Sequence, residues 1–213
     1  MAMIVFSSCL TSKKFDRFVA GEYGDQLPKP DKKKKIANID ITTALPSDDV
    51  IISSTKSQTK VLPLIIYWKI DYRHVCILNP AIAINSFTKT VNSNVAKGLS
   101  EKLNGRKLEL TVQQLPSIFS LVEKENVIWL IYAIHWGKVY VEPDAKSMVV
   151  NYKLYDNNGT LKNGTITITN TESNKNLRFF QSWKSATSEY LSNYETDIIT
   201  MSKSFVSKLM DEL

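Results

Sequence analysis

The sequence predicts an α+β fold: a single domain with a mostly antiparallel sheet and two principal helices, preceded by a flexible N-terminal tether. Three observations carry this prediction. The chain has 213 residues, 43% hydrophobic and 23% charged, the balance of a polypeptide that buries its own core. Apolar residues alternate with period two in several segments, whereas two longer segments place them every three or four residues. Each helical stripe needs a surface to cover it, and a sheet face provides one.

Residues 10–35 show no sustained period. They mix Ser, Thr, Gly, Pro and charge, with Gly21, Gly24, Pro28, Pro30 and the run Lys32 to Lys35, a composition expected of a tether. About 25 such residues would reach tens of ångströms. Inside this stretch Phe15, Phe18 and Val19 have the spacing of one helical turn able to dock on the body.

The α+β body is expected over residues 36–213. Ile36 to Ala44 alternates as a strand. Val61 to Leu78 is expected as one long strand with Leu62, Leu64, Ile66, Trp68, Ile70, Tyr72, His74 and Cys76 on a buried face, and Pro63 puts its start at an edge or a break. Asn79-Pro80 then caps and opens a helix carrying Ile84, Phe87, Val91, Val95, Leu99 and Leu103, which Asn104-Gly105 ends. Leu108, Leu110 and Val112 mark a further strand. Asn126 to Glu142, the most apolar run, is expected as one strand covered on both sides in its middle. Met148 to Asp156, Asn157-Asn158-Gly159 and the stretch through Ile168 form a hairpin signature. The chain closes on a helix with Trp183, Ala186, Tyr190, Tyr194, Ile198, Met201, Phe205 and Leu209 on one stripe.

Charge excludes one class of function. The formal net charge is +6, but residues 1–35 hold eight basic and four acidic side chains, leaving 19 basic against 17 acidic for the rest. With four arginines in all, the body lacks the clustered basic face that phosphate backbones require, so nucleic acid is not an expected partner. No run approaches the roughly 18 apolar residues of a membrane-spanning helix.

The opening Met-Ala-Met-Ile-Val-Phe-Ser-Ser-Cys resembles the end of a bacterial lipoprotein signal peptide. In that family a peptidase cuts before an invariant cysteine that carries the lipid. The resemblance implies that residues 1–8 are a signal-peptide remnant, that Cys9 is the lipid attachment site and that residues 9–35 tether the body. Phe6 departs from the smaller aliphatic residue usual there, and no basic n-region precedes the apolar run. The order of elements, with Val150 to Gly159 ending in an Asn-Gly turn, is similar to that of auxiliary lipoproteins of ABC-type transport and lipopolysaccharide-assembly systems. Cys9, Lys13 to Asp16, Gln26 to Pro28 and Trp129 to Tyr132 also resemble an uncharacterised family of Gram-negative envelope lipoproteins. These resemblances imply an outer-membrane lipoprotein facing the periplasm, with an envelope protein or a small amphiphile as partner.

Chemistry is sparse. The chain has two histidines and seven scattered glycines, with no Gly-x-Ser-x-Gly elbow, phosphate loop, dinucleotide fingerprint or His-Glu-x-x-His helix, so neither a catalytic role nor a cofactor is expected. The sharpest constellation is His74 and Cys76, two apart on one strand face, with His135 from a neighbouring strand. Such a set suits a zinc site or a Cys-His nucleophile, the alternative to a non-catalytic reading. Against it stands a buried stripe, with His135 hydrogen-bonded beneath a helix. Tyr132, Trp136 and Tyr140 recur at four-residue steps, about 13 Å apart along a strand, and form the candidate binding surface if they are not core.

Overall fold

The computed structural model describes residues 11–23, 38–45, 53–64, 67–94, 98–129, 132–143, 147–156, 159–169, 175–177 and 181–213. Cys9 and the rest of residues 1–10 lie outside them, as do residues 24–37. The chain is α+β, with antiparallel pairings predominating, but it builds two sheets where the sequence suggested one.

The four-stranded sheet has the order β1 (Ile39–Thr43), β4 (Lys107–Gln114), β7 (Met148–Asp156), β8 (Gly159–Ile168), and β1 lies parallel to β4. Its strands alternate cleanly. Leu108, Leu110, Val112, Val150, Tyr152, Leu154, Ile166 and Ile168 are buried, while Glu109, Lys153, Thr165 and Thr167 face outward, the period-two pattern of a sheet wet on one side. The β7–β8 hairpin turns as expected, closing Asp156 against Gly159, whose φ of 129° suits glycine.

The five-stranded sheet has the order β2 (Ser53–Leu64), β3 (Tyr67–Ile77), β5 (Ile118–Trp129), β6 (Ala133–Pro143), β9 (Lys175–Asn176), all antiparallel. Two expected single strands are hairpins here. The run Val61 to Leu78 folds back with Leu64 paired to Tyr67, and the run Asn126 to Glu142 folds back with Trp129 paired to Ala133. The sequence between these paired ends, Ile65-Ile66 in one case and Leu130-Ile131-Tyr132 in the other, contains no Gly, Pro, Asn or Asp, so apolar periodicity ran straight through it. Pro63 sits in the edge strand β2 at a register shift between Val61 and Leu64, where its missing N–H costs the ladder least.

Helices bind the two sheets into one core. The helix α2 (Pro80–Asn94) starts as the sequence predicts, with Asn79 Oδ1 accepting from the Ala81 N–H at 2.8 Å. It does not continue to Leu103. Gly98 adopts a φ of 117°, incompatible with an uninterrupted helix, and a separate turn α3 (Ser100–Leu103) follows, ending at Asn104 in the left-handed region. The closing helix α4 (Trp183–Glu212) has 30 residues, about 45 Å. Its N-terminal half covers the five-stranded sheet, where Tyr190 stacks on Phe119 at 4.6 Å and Tyr194 Oη donates to the Pro116 carbonyl at 2.5 Å. Its C-terminal half covers the other, where Phe205 packs on Phe87 of α2 and Glu212 accepts from Tyr152 Oη at 2.5 Å.

The expected tether contains a packed element. Ser12–Tyr23 is a helix, α1, with Phe15 and Val19 fully buried. Phe15 meets His74, Phe119 and Trp183 at ring distances of 5.9, 5.9 and 6.1 Å. The composition that suggested a tether was averaged over residues 10–35, whereas the helix that carries Phe15, Phe18 and Val19 has 12 residues, about three turns rather than one. The packed unit therefore includes residues well before the expected start at residue 36.

Candidate functional site

The three sequence-nominated ligands do not converge. His74 and Cys76 share the core face of β3, at 1% and 0% exposure, beneath α1 and beside Phe119. His135 is on β6, level with Val127 and Trp68, whereas His74 is level with Leu121. Six residues along the sheet separate those levels, about 20 Å. Neither does His135 lie beneath a helix. It is substantially exposed, and its Nε2 stands 3.8 Å from Glu125 Oε2. Burial, and then the Asp16 carboxylate, push the Cys76 thiol up to about 12, so it stays protonated and unreactive at neutral pH. Among the described residues no group of three His, Cys, Asp or Glu side chains is placed to hold a metal ion.

The polar crevice at the end of the four-stranded sheet is also committed to structure. About 530 Å³ is lined by Asn104 to Lys107, Glu109, Tyr155 and Asp156. Arg106 Nε donates to the Leu103 carbonyl at 3.0 Å and so closes α3, while Tyr155 Oη donates to Glu109 at 2.9 Å. That hydrogen bond holds the Tyr155 phenol above its ordinary pKa.

The aromatic row behaves differently. Counted along β5 from Leu121, the hairpins run eight residues beyond the level of His74, about 26 Å, as a four-stranded finger. At its end Tyr132, Trp129, Trp136 and Ile134 are 66, 54, 46 and 41% exposed. Ile128 stands between Tyr67 and Ile134 on one face, and Val127 stands between Trp68 and His135 on the other. Apolar side chains therefore crown both faces of the end. Trp136 and Tyr140 lie on the face turned away from the core, and Tyr140 is half-buried beneath the Lys124 ammonium, 5.5 Å from the ring centroid. Of the nominated surface, Tyr132 and Trp136 belong to the exposed end and Tyr140 to the shaft below it.

The sequence reading missed Trp129, Ile134, Tyr67 and Trp68 as parts of this end. The available signal was the aromatic density of two segments, Tyr67-Trp68 and Trp129 to Trp136, which an expected covered strand explained away. The shaft is charged. Lys69 lies 3.7 Å from Asp71, and Arg73 bridges Glu142 at 2.7 Å and Ser120 Oγ at 3.2 Å. Gly137 admits the close approach of β5, since a Cβ there would stand 2.7 Å from the Lys124 carbonyl oxygen. Among the described residues, β9 pairs β6 only at Tyr140 and Val141, so Ala133 to Lys138 present an open strand edge.

Fold and site together describe an α+β scaffold presenting an apolar, aromatic sheet end. Comparisons with family models, curated proteins and solved structures find no match to this chain.

Proposed function

We propose that this protein is a non-catalytic binding or accessory lipoprotein of a bacterial envelope, anchored through Cys9 and acting through the end of its five-stranded sheet. The observation that carries this reading is the exposure of four large apolar side chains, Trp129, Tyr132, Ile134 and Trp136, on one hairpin. Soluble monomers seldom display such a contiguous patch unless it meets a partner. The separation of His74 and Cys76 from His135 weighs against the hydrolase or metalloprotein alternative in the form that needs all three.

The packed α1 changes what an anchor at Cys9 would do. Only Leu10 and Thr11 stand between Cys9 and Ser12, a reach of about 10 Å. α1 packs on the half of the molecule that bears the finger, so an acylated Cys9 holds that half close to the bilayer instead of letting it stand off by tens of ångströms. Such a placement agrees with a role beside an envelope complex of the transport or lipopolysaccharide-assembly type, facing the periplasm.

The test is expression behind a complete lipoprotein signal peptide, with labelled acyl chain and crosslinking from membranes. Incorporation of label at Cys9 and crosslinks to envelope components are expected. An unmodified Cys9 thiol on a freely soluble chain would reject the anchor, and a turnover lost on His74→Ala would reject the non-catalytic reading.

A further inference from the structure

We infer that the end of the finger inserts into the interface of a lipid bilayer, an inference that deepens the binding-surface reading above and rests on it. A flat partner surface covers one face of a sheet. Here Tyr67, Ile128, Ile134 and Trp136 occupy one face, Trp68, Val127 and Trp129 the other, and Tyr132 the end, so a medium that surrounds the tip satisfies more of it than a surface that touches it.

Depth and charge fit the same medium. Moving down from the tip, His135 is the first polar side chain, level with Val127, and Lys69 with Asn126 follow one residue lower, three residues below Trp129, about 10 Å. That is the depth at which interfacial elements seat their apolar side, and a third of the roughly 30 Å hydrocarbon core, so the finger dips and does not span. Tryptophan and tyrosine are the side chains that settle at headgroup level. Behind them, the outward face carries Lys69, Lys124 and Lys138 against Asp71, while Glu123 and Glu125 lie on the opposite face at the same levels, so the positive charge that meets lipid phosphates is confined to the outward face. The backbone sets the limit. Open N–H and C=O groups along Ala133 to Lys138 find headgroups and water at the interface and nothing in hydrocarbon, so insertion stops at the charged level.

The test uses the full chain with Cys9→Ser, so that no acyl chain contributes, and vesicles of phosphatidylcholine with about one-third phosphatidylglycerol. The protein is expected to float with the vesicles, and its tryptophan fluorescence to be quenched by lipids brominated in their acyl chains. Trp129→Ser combined with Trp136→Ser is expected to weaken partitioning at least about tenfold, with the thermal transition preserved because both side chains are exposed. Lys124→Glu with Lys138→Glu should weaken binding to the anionic vesicles more than to pure phosphatidylcholine. Absence of flotation, or flotation indifferent to the double tryptophan change, would overturn the inference. So would a dimer in sedimentation that Trp136→Ser dissolves, since the open β6 edge would then be meeting a second copy. If vesicles fail while membrane crosslinks from Tyr132 reach a protein, the lipid inference falls and the binding reading stands.

Discussion

Phe15→Ala separates a packed N-terminal helix from a tether. Phe15 is fully buried in contact with the rings of His74, Phe119 and Trp183, and Val19 is buried beside it on the same face of α1. Truncating a buried phenylalanine costs about 3–5 kcal/mol, the lost transfer energy plus the cavity that remains. Against a total stability of roughly 5–15 kcal/mol this is a large fraction. Because α1 is terminal, part of the loss can appear as undocking of α1 from a core that stays folded. Urea unfolding should show a lowered midpoint or a separate early phase, and amides of Lys14 to Gly21 should lose their protection from hydrogen exchange. Lys13→Ala, on the exposed side, should leave both readouts unchanged. A midpoint shift under about 0.5 kcal/mol for Phe15→Ala, with α1 amides exchanging freely in the unaltered protein, would refute the packed helix and restore the tether.

Two further outcomes follow from buried groups and close contacts. Cys76 is pushed up from an ordinary 9.0 to about 12 by burial and then by Asp16, and Tyr152 from 10.0 to about 12 by burial and then by its hydrogen bond to Glu212. Because the folded chain holds these protons more tightly than the unfolded one, their contribution is complete below pH 9 and is lost as pH rises from 9 to 12; denaturant midpoints should fall across that window, and Cys76→Ala with Tyr152→Phe should flatten the fall. Gly137→Ala forces a methyl group to within 2.7 Å of the Lys124 carbonyl, so it should cost about 1–3 kcal/mol in thermal unfolding, whereas Gly21→Ala, with open space around it, should cost nothing.

Much of the fold was legible where period and punctuation agree. Asn79-Pro80, Asn104-Gly105 and the turn at Gly159 announced their element ends correctly, and the α4 stripe is buried along its whole length apart from half-exposed Trp183. Legibility failed where a reversal carries no turn residue. The sequence has only Ile65-Ile66 between β2 and β3 and only Leu130-Ile131-Tyr132 between β5 and β6, so each hairpin looked like one long buried strand. The parallel pairing of β1 with β4 was equally hidden, since it joins segments 69 residues apart that share no local signal. For the site, residue types were visible and their burial was not. His74 and Cys76 gave the right face of β3, but the hairpin carries His135 toward the far end of the finger. Trp136 and Tyr132 were named, yet whether they stood in the core or in solvent depended on that same reversal.

The proposed working surface is the finger end of the five-stranded sheet. It is tested most directly by placing a photocrosslinking amino acid at Tyr132, and separately at Thr165 on the outward face of the four-stranded sheet, in cells making the full protein. Both positions are exposed, so the label itself should not disturb the fold. Dense crosslinking to lipid from residue 132, with little from residue 165, is the predicted result; crosslinks confined to residue 165, with residue 132 reacting only with water, would contradict it.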